Sequence, residues 1–536
     1  MAKSVSPKEL VKMIKDEKEL AIVDVREQGD YSKAHILLSN SIPLSRMELH
    51  VADLIPRVTT RIILVDDGPS DPLCLAARAA ERLADLGYEN IYMLEGGIEA
   101  WRNQRLELYS GVNVLSKAFG EFVETTYHTP HITAPELKAK MELKENLVIF
   151  DARPKEEYYR MTIPGAINVP GAELVYRFFE MVPDSETHVI VNCAGRTRSI
   201  IGAQSLINAG IANRVSALKN GTMGWHLAGF HLEHHKDRTA PVPSLNNLKK
   251  ARAHAARVVE RFGIKKIDYE TLTSWRKGTD QRTLYVLDVR LPEEFESGHL
   301  EGSRNAPGGQ LVQATDEYMA VRNARVVLVD DIEIRAAMTA SWLIQMGWPH
   351  VFVLTAGINN RELVQGPHRP KIPGLNNAPE VSPAELKHFL DSHDKIVLID
   401  FATSRQYQDG HIPGALWIIR SRLPLDFGKI PEADMLILTS PHGVLADLAA
   451  KDMKEVLPDI PVRVLGGGTD AWIQNGLPTE NGMTEALSPI SDVWYKPYES
   501  KDAPEKAMQA YLEWELALVD QIRRDDTMPF RACRLK

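Results

Sequence analysis

The stretch VIVNCAGRTRSIIGAQ, residues 189–204, ends an apolar run on a cysteine and continues into a short loop rich in glycine and arginine. Cys193 opens the loop. Ala194, Gly195, Arg196, Thr197 and Arg198 follow, and Ser199 leads into a helical pattern. A free thiol with a pKa of about 8.5 is mostly protonated at neutral pH, but a helix N-terminus and nearby cations lower it to roughly 3.5–7.5. Both influences are written into this loop. Gly195 lets successive N–H groups converge on an anion at a helix start, and Arg196 and Arg198 add positive charge. Ser199 is expected to begin the helix and cap it. Arg196, in mid-loop, is expected to face solvent and meet an incoming anion, and Arg198 to hold the loop at the helix start. The chemistry such a loop suits is nucleophilic attack by a thiolate with a covalent intermediate, beside a bound anion.

The other two cysteines lie in different settings. Cys74, in PLCLAARAA, falls within an apolar helical pattern and reads as a buried structural cysteine. Cys533, in the basic end RACRLK, reads as an exposed incidental thiol, with a sulfur relay as the alternative. Three cysteines without a CxxC pair indicate neither a disulfide framework nor a zinc site. A reducing, cytoplasmic setting is therefore expected, and thiolate chemistry at the Cys193 loop needs no metal and no organic cofactor. The net charge of −9 supplies no global basic field for nucleic acid. No apolar run approaches the roughly 18–20 residues that span a bilayer, and the first twenty residues lack the apolar core of a signal peptide.

The elements that position Cys193 recur four times along the 536 residues. Each copy opens with a capped helical pattern: SPKELVKMIKDEK from Ser6, TAPELKAKMELKE from Thr133, DYETLTSWRKGTD from Asp268 and SPAELKHFLDSHD from Ser382. Ser or Thr three residues before Glu is a capping-box signature in the first, second and fourth. A strand then ends at Asp24, Asp151, Asp288 or Asp400, and a second strand ends at Asp67, Cys193, Asp331 or Ser440. The separations are 43, 42, 43 and 40 residues. A helix and a third strand with a glycine turn complete each copy. Alternating short apolar strands and helices predict an α/β fold of four tandem modules, each an open, mainly parallel sheet with helices on both faces. Ligands in such sheets sit at the carboxyl ends of strands, which is where Cys193 falls.

The modules are placed at 1–112, 128–235, 265–366 and 378–480. A basic linker helix is expected within 236–264 and a helical tail within 481–536. The apolar spacing in PEKAMQAYLEWELALVDQI (504–522) leaves two readings for the tail, docking on the last repeats or association into a homodimer.

Asp-x-Arg after a strand, Glu-Phe/Tyr, Gly-His-Ile/Leu-x-Gly, Cys-x-x-x-x-Arg and Gly-Gly-x-x-x-Trp follow one another in this order. That order resembles the rhodanese family of sulfurtransferases, over about 85–90% of the chain. The second module departs from it: YRMT stands where Gly-His is usual. The resemblance implies that Cys193 takes sulfane sulfur from thiosulfate as a persulfide and passes it to a thiol or cyanide, with residues 194–199 cradling the anion. Asp151 and Arg153 support the loop as a structural ion pair. Asp67, Asp331 and Ser440 would leave the first, third and fourth modules silent. Transfer from 3-mercaptopyruvate or another persulfide donor, and an interaction scaffold with one active module, are the alternatives. A phosphatase is disfavoured because Cys193 to Arg198 spans six residues, one short of the usual phosphate loop.

Overall fold

The structure is a computed structural model that describes residues 3–278, 282–392, 395–499 and 503–533. It divides into two compact units. One comprises Met1–Met13, Leu20–Val112 and Pro370–Trp494, and so holds the first and fourth modules. The other comprises Ile14–Glu19, Asn113–Arg369 and Tyr495–Lys536, and holds the second and third modules with the C-terminal segment.

Each module begins as its capping residues direct. The Thr133 N–H donates to Glu136 at 2.8 Å, while the Glu136 N–H returns to Thr133 Oγ1 at 3.4 Å, ahead of the helix Ala134–Glu142. Ser6 with Glu9 and Ser382 with Glu385 make the same reciprocal pair. In the third module Asp268 caps through the Thr271 N–H.

In the second module five parallel strands lie side by side in the order His131–Ile132, Val215–Leu218, His188–Asn192, Leu147–Asp151 and Ile167–Asn168. The central strand, His188–Asn192, is covered on both faces, and Val189, Ile190 and Val191 are fully buried. Each such side chain contributes about 1.5–3 kcal/mol by burial. That is why the run reads as continuously apolar rather than alternating. The third and fourth modules repeat this order, and so do the strands of the first. Trp101, Trp225 and Trp472 are core residues, each 2% exposed or less.

The sheet register corrects one sequence assignment. Asp151 pairs with Asn192, Asp288 with Val329, Asp24 with Val65 and Asp400 with Thr439. The residues that follow these partners are therefore equivalent: Cys193, Asp330, Asp66 and Ser440. The carbonyls of all four accept an N–H from the glycine turn after the third strand, from Thr222, Ile358, Ile98 and Thr469 at 2.8–3.2 Å. That turn must approach closely. Gly221, Gly357, Gly97 and Gly468 all have φ between 48° and 64°, and a Cβ on any of them would collide with the same carbonyl. Asp66 and Asp330, not Asp67 and Asp331, thus stand at the cysteine position. Both are the first of an Asp-Asp doublet, and counting along the chain had selected the second.

The segment between the second and third modules forms the helix Leu245–Phe262, capped by Ser244 and closed by Gly263 at φ 60°. It packs against Glu173–Met181 and Ile334–Gln345. The C-terminal helix Pro504–Arg524 packs, within its own unit, against the helix Val114–Tyr127 that leads into the second module.

Candidate active site

Cys193 leaves the central strand at its carboxyl end, and the helix Thr197–Asn208 begins four residues later. The loop is pinned from below: the Thr222 N–H donates to the Cys193 carbonyl at 2.8 Å and the Met223 N–H to the Ala194 carbonyl at 3.0 Å. The N–H groups of the first helical turn have no intrahelical acceptor. Ala194 and Gly195 are buried. Thr197 is the first helical residue, and its hydroxyl is buried without a partner. Ser199 is the third residue of the helix rather than its cap. Its hydroxyl lies 2.7 Å from the Arg196 carbonyl, and both its hydroxyl and its N–H favour the thiolate of Cys193.

The structure reverses the expectation for Arg196. The side chain turns inward and is only 3% exposed. Nε donates to Glu121 at 2.6 Å, and Nη2 donates to Glu121 at 2.8 Å and to Glu124. A buried guanidinium needs such partners, and the acidic residues come from the helix Val114–Tyr127, which lies outside the repeat pattern. Arg196 therefore ties that helix to the loop and does not face solvent. Arg198 is the cation that acts on the sulfur. It makes a two-pronged pair with Glu157 at 2.8 and 3.0 Å and reaches Gln310 Oε1 at 3.3 Å. Its charge favours the thiolate, and it holds the Glu157 carboxyl at about 2 despite burial.

The thiol itself is pushed up, not down. Cys193 is 2% exposed, and burial outweighs Arg198 and Ser199 while Glu515 adds to the upward shift. The sequence-based expectation missed the cover. A methyl group at Gly195 would lie 2.9 Å from Met223 Cε, 3.2 Å from Glu515 Oε2 and 3.7 Å from Tyr511 Cε1. The C-terminal helix thus lies directly on the loop.

Below the loop, Arg153 clasps Asp151 through Nε and Nη2 at 2.8 and 2.6 Å, with both residues fully buried. The same clasp recurs as Arg26 with Asp24 and Arg290 with Asp288. Thr162 takes the place of the histidine found in the other modules. Its N–H pairs with Glu233 as those of His35, His299 and His411 pair with Tyr109, Val364 and Glu480. Its hydroxyl, 3.0 Å from Asp151 Oδ2, anchors the carboxylate directly.

The other thiols have different surroundings. Cys74 is exposed, at φ 48° just ahead of the helix Leu75–Asp85, and is not the buried residue its neighbours suggested. Cys533 is partly buried, with its sulfur 3.8 Å from the Arg261 carbonyl.

A family model described as a rhodanese-like domain matches residues 6–104, 133–228, 271–361 and 382–475. The chain belongs to the rhodanese family. A solved structure of a thiosulfate sulfurtransferase from Pseudomonas aeruginosa is 45% identical, with a TM-score of 0.95 over 99% of both chains. The putative sulfur carrier protein YrkF of Bacillus subtilis is 26% identical over 136 residues, 24% of this chain and 72% of that protein. The HTH-type transcriptional regulator Rv0324 of Mycobacterium tuberculosis is 35% identical over 111 residues, 21% of this chain and 46% of the regulator. Among the described residues no helix is long and apolar enough to cross a membrane.

Proposed function

We propose that the chain is a thiosulfate sulfurtransferase whose second module alone is catalytic, through Cys193, in a reducing cytoplasmic setting. The Cys193 thiolate attacks the outer sulfur of thiosulfate. The Sγ–S bond forms, the S–S bond of the donor breaks, and sulfite leaves with the electron pair. An acceptor then attacks the outer sulfur of the persulfide and Cys193 is regenerated, a double displacement. Arg198, Ser199 and the first-turn N–H groups stabilise the thiolate and the departing anion.

The observation that carries this reading is the pairing of a lone thiol with a loop whose counterpart binds an anion. In the third module the Asp330 carboxylate, at the cysteine position, accepts N–H bonds from Glu333, Arg335 and Ala336 at 2.6, 3.0 and 3.3 Å. In the first, Asp66 accepts from Gly68 and Ala76 at 2.9 and 3.0 Å. These modules fill their cradles with their own side chains, and in the fourth the Ser440 hydroxyl accepts from Ala446. None of the three residues can carry a persulfide.

Glu515 beside the loop favours a second reading, a donor with less negative charge than thiosulfate, such as 3-mercaptopyruvate or a low-molecular-weight persulfide. Sulfur transfer to cyanide from each donor tests both readings. Cys193→Ser is expected to abolish it with every donor, whereas Cys74→Ser and Cys533→Ser are expected to retain most of it. The donor with the higher kcat/KM is the substrate class.

A further inference from the structure

The helix Pro504–Arg524 belongs to none of the four modules, yet it brings a carboxylate to the nucleophile's loop. Glu515 is 2% exposed. Its Oε1 accepts from the Tyr511 hydroxyl at 3.2 Å, while Oε2, the oxygen nearer Gly195, is buried with no hydrogen-bond partner. A buried unpartnered carboxylate oxygen costs stability. Met508, Leu512, Leu518 and Ile522 supply the apolar contact of this helix, and Glu515 faces the buried Lys117. A side chain at Gly195 would press on that oxygen.

We propose that Glu515 is the acid–base residue of the half-reaction in which a thiol acceptor takes the sulfur from Cys193. This rests on the persulfide reading above and assigns its second step. Loss of sulfite leaves the persulfide as the anion Cys193–S–S⁻. The acceptor's S–H proton passes to Glu515 Oε2 and from it to the outer sulfur, giving Cys193–S–SH, which the resulting thiolate attacks. The new S–S bond forms, the Sγ–S bond breaks, and its electron pair stays on Cys193 as thiolate. The product is the acceptor persulfide. Sulfite, the acceptor of the reverse first step, attacks through a sulfur lone pair that carries no proton and has no use for this base.

The charges facing Glu515 suit the role. Lys117 and Glu121 approach from the helix Val114–Tyr127, Arg196 from the loop and Tyr511 from its own helix. Behind Lys117 lies Asp316, and beyond Tyr511 lie Arg198 and Cys193 itself. Burial lifts the Glu515 carboxyl to about 7, with Lys117 and Arg196 opposing, and lowers the Lys117 ammonium to about 8. A base near neutrality is suited to accept a thiol proton and release it again.

The test uses the full chain, loaded with thiosulfate and freed of donor, and follows loss of the added sulfur in single turnover to glutathione or to sulfite. Absence of loading in the wild type would contradict the persulfide reading itself. With loading secured, Glu515→Gln is expected to slow the glutathione arm on the order of a hundredfold at pH 7 and to leave the sulfite arm within about twofold. The glutathione deficit should vanish at high pH, where the acceptor is already a thiolate. Equal slowing of both arms, or a deficit independent of pH, would make Glu515 a packing residue and overturn the inference. So would an unimpaired glutathione arm. The sulfite arm of the same variant reports whether the loop remains intact.

Discussion

The loops of the second and third modules share one plan and differ at few positions. In both, an arginine five residues beyond the cysteine position reaches the glutamate six residues beyond the first-strand aspartate: Arg198 to Glu157, and Arg335 to Glu294 at 2.6 Å. Each arginine also reaches a side chain at the start of the opposite module's helix. For Arg198 this is Gln310, a neutral amide. For Arg335 it is Glu173, at 3.0 Å, with Asp331 added at 2.5 Å. Arg198 thus faces one carboxylate and a thiol, whereas Arg335 is fully buried among three carboxylates with Asp330 beside it. A cradle of N–H groups is common to both. Under the proposed function, what separates them is the side chain that fills the cradle and how much of the arginine's charge is left for it.

Placing a thiol in the silent loop is the largest test of that comparison. Asp330→Cys in a Cys193→Ser background is expected to stay about three orders of magnitude below wild-type turnover, because Glu173, Glu294 and Asp331 continue to neutralise Arg335. Steady-state transfer to cyanide measures it, and near-native turnover would show that the cradle alone suffices.

The two loop arginines should separate next. Arg196→Ala leaves Glu121 and Glu124 without their cation and is expected to cost about 3–5 kcal/mol of stability, read by chemical denaturation. It should produce no salt-dependent rise in KM. Arg198→Ala is expected to raise the thiol pKa further, because the charge that favours the thiolate is lost. The sign follows from the thiolate being the reactive form: persulfide formation should need a higher pH in the variant. Thiolate absorbance against pH measures the shift.

The smallest change copies Glu173 of the second module onto its counterpart in the third, Gln310, which faces Arg198. Gln310→Glu gives Arg198 the second carboxylate that Arg335 already has. The thiol pKa should rise, in the same direction as with Arg198→Ala and by less. An unchanged pKa would detach Gln310 from the electrostatics of the site.

Much of this was legible in the chain because local rules and tertiary structure agree. Capping pairs such as Thr133 with Glu136 begin the helices, and both-face burial makes the strands read as apolar runs. The glycines after each third strand mark the close turn under the loop. Cys193 and its six-residue loop stood out for the same reason. The counter-ions did not. Glu121 and Glu124 lie more than 70 residues from Arg196 in a helix with no repeat signature, so Arg196 read as a free cation. Glu515 lies in a segment that belongs to no module, so the thiol read as open and acidified when it is covered and pushed up. The one-residue offset at Asp66 and Asp330 had a simpler cause. Each precedes a second aspartate, and residue type could not tell them apart until hydrogen-bond register did.

The most direct measurement of the central claim is peptide mapping of the wild-type chain after exposure to thiosulfate and removal of the donor. The account predicts one added sulfur, on the peptide that contains Cys193, absent after treatment with cyanide and absent from Cys193→Ser. Sulfur on the peptide of Cys74 or Cys533 with none at Cys193 would contradict it.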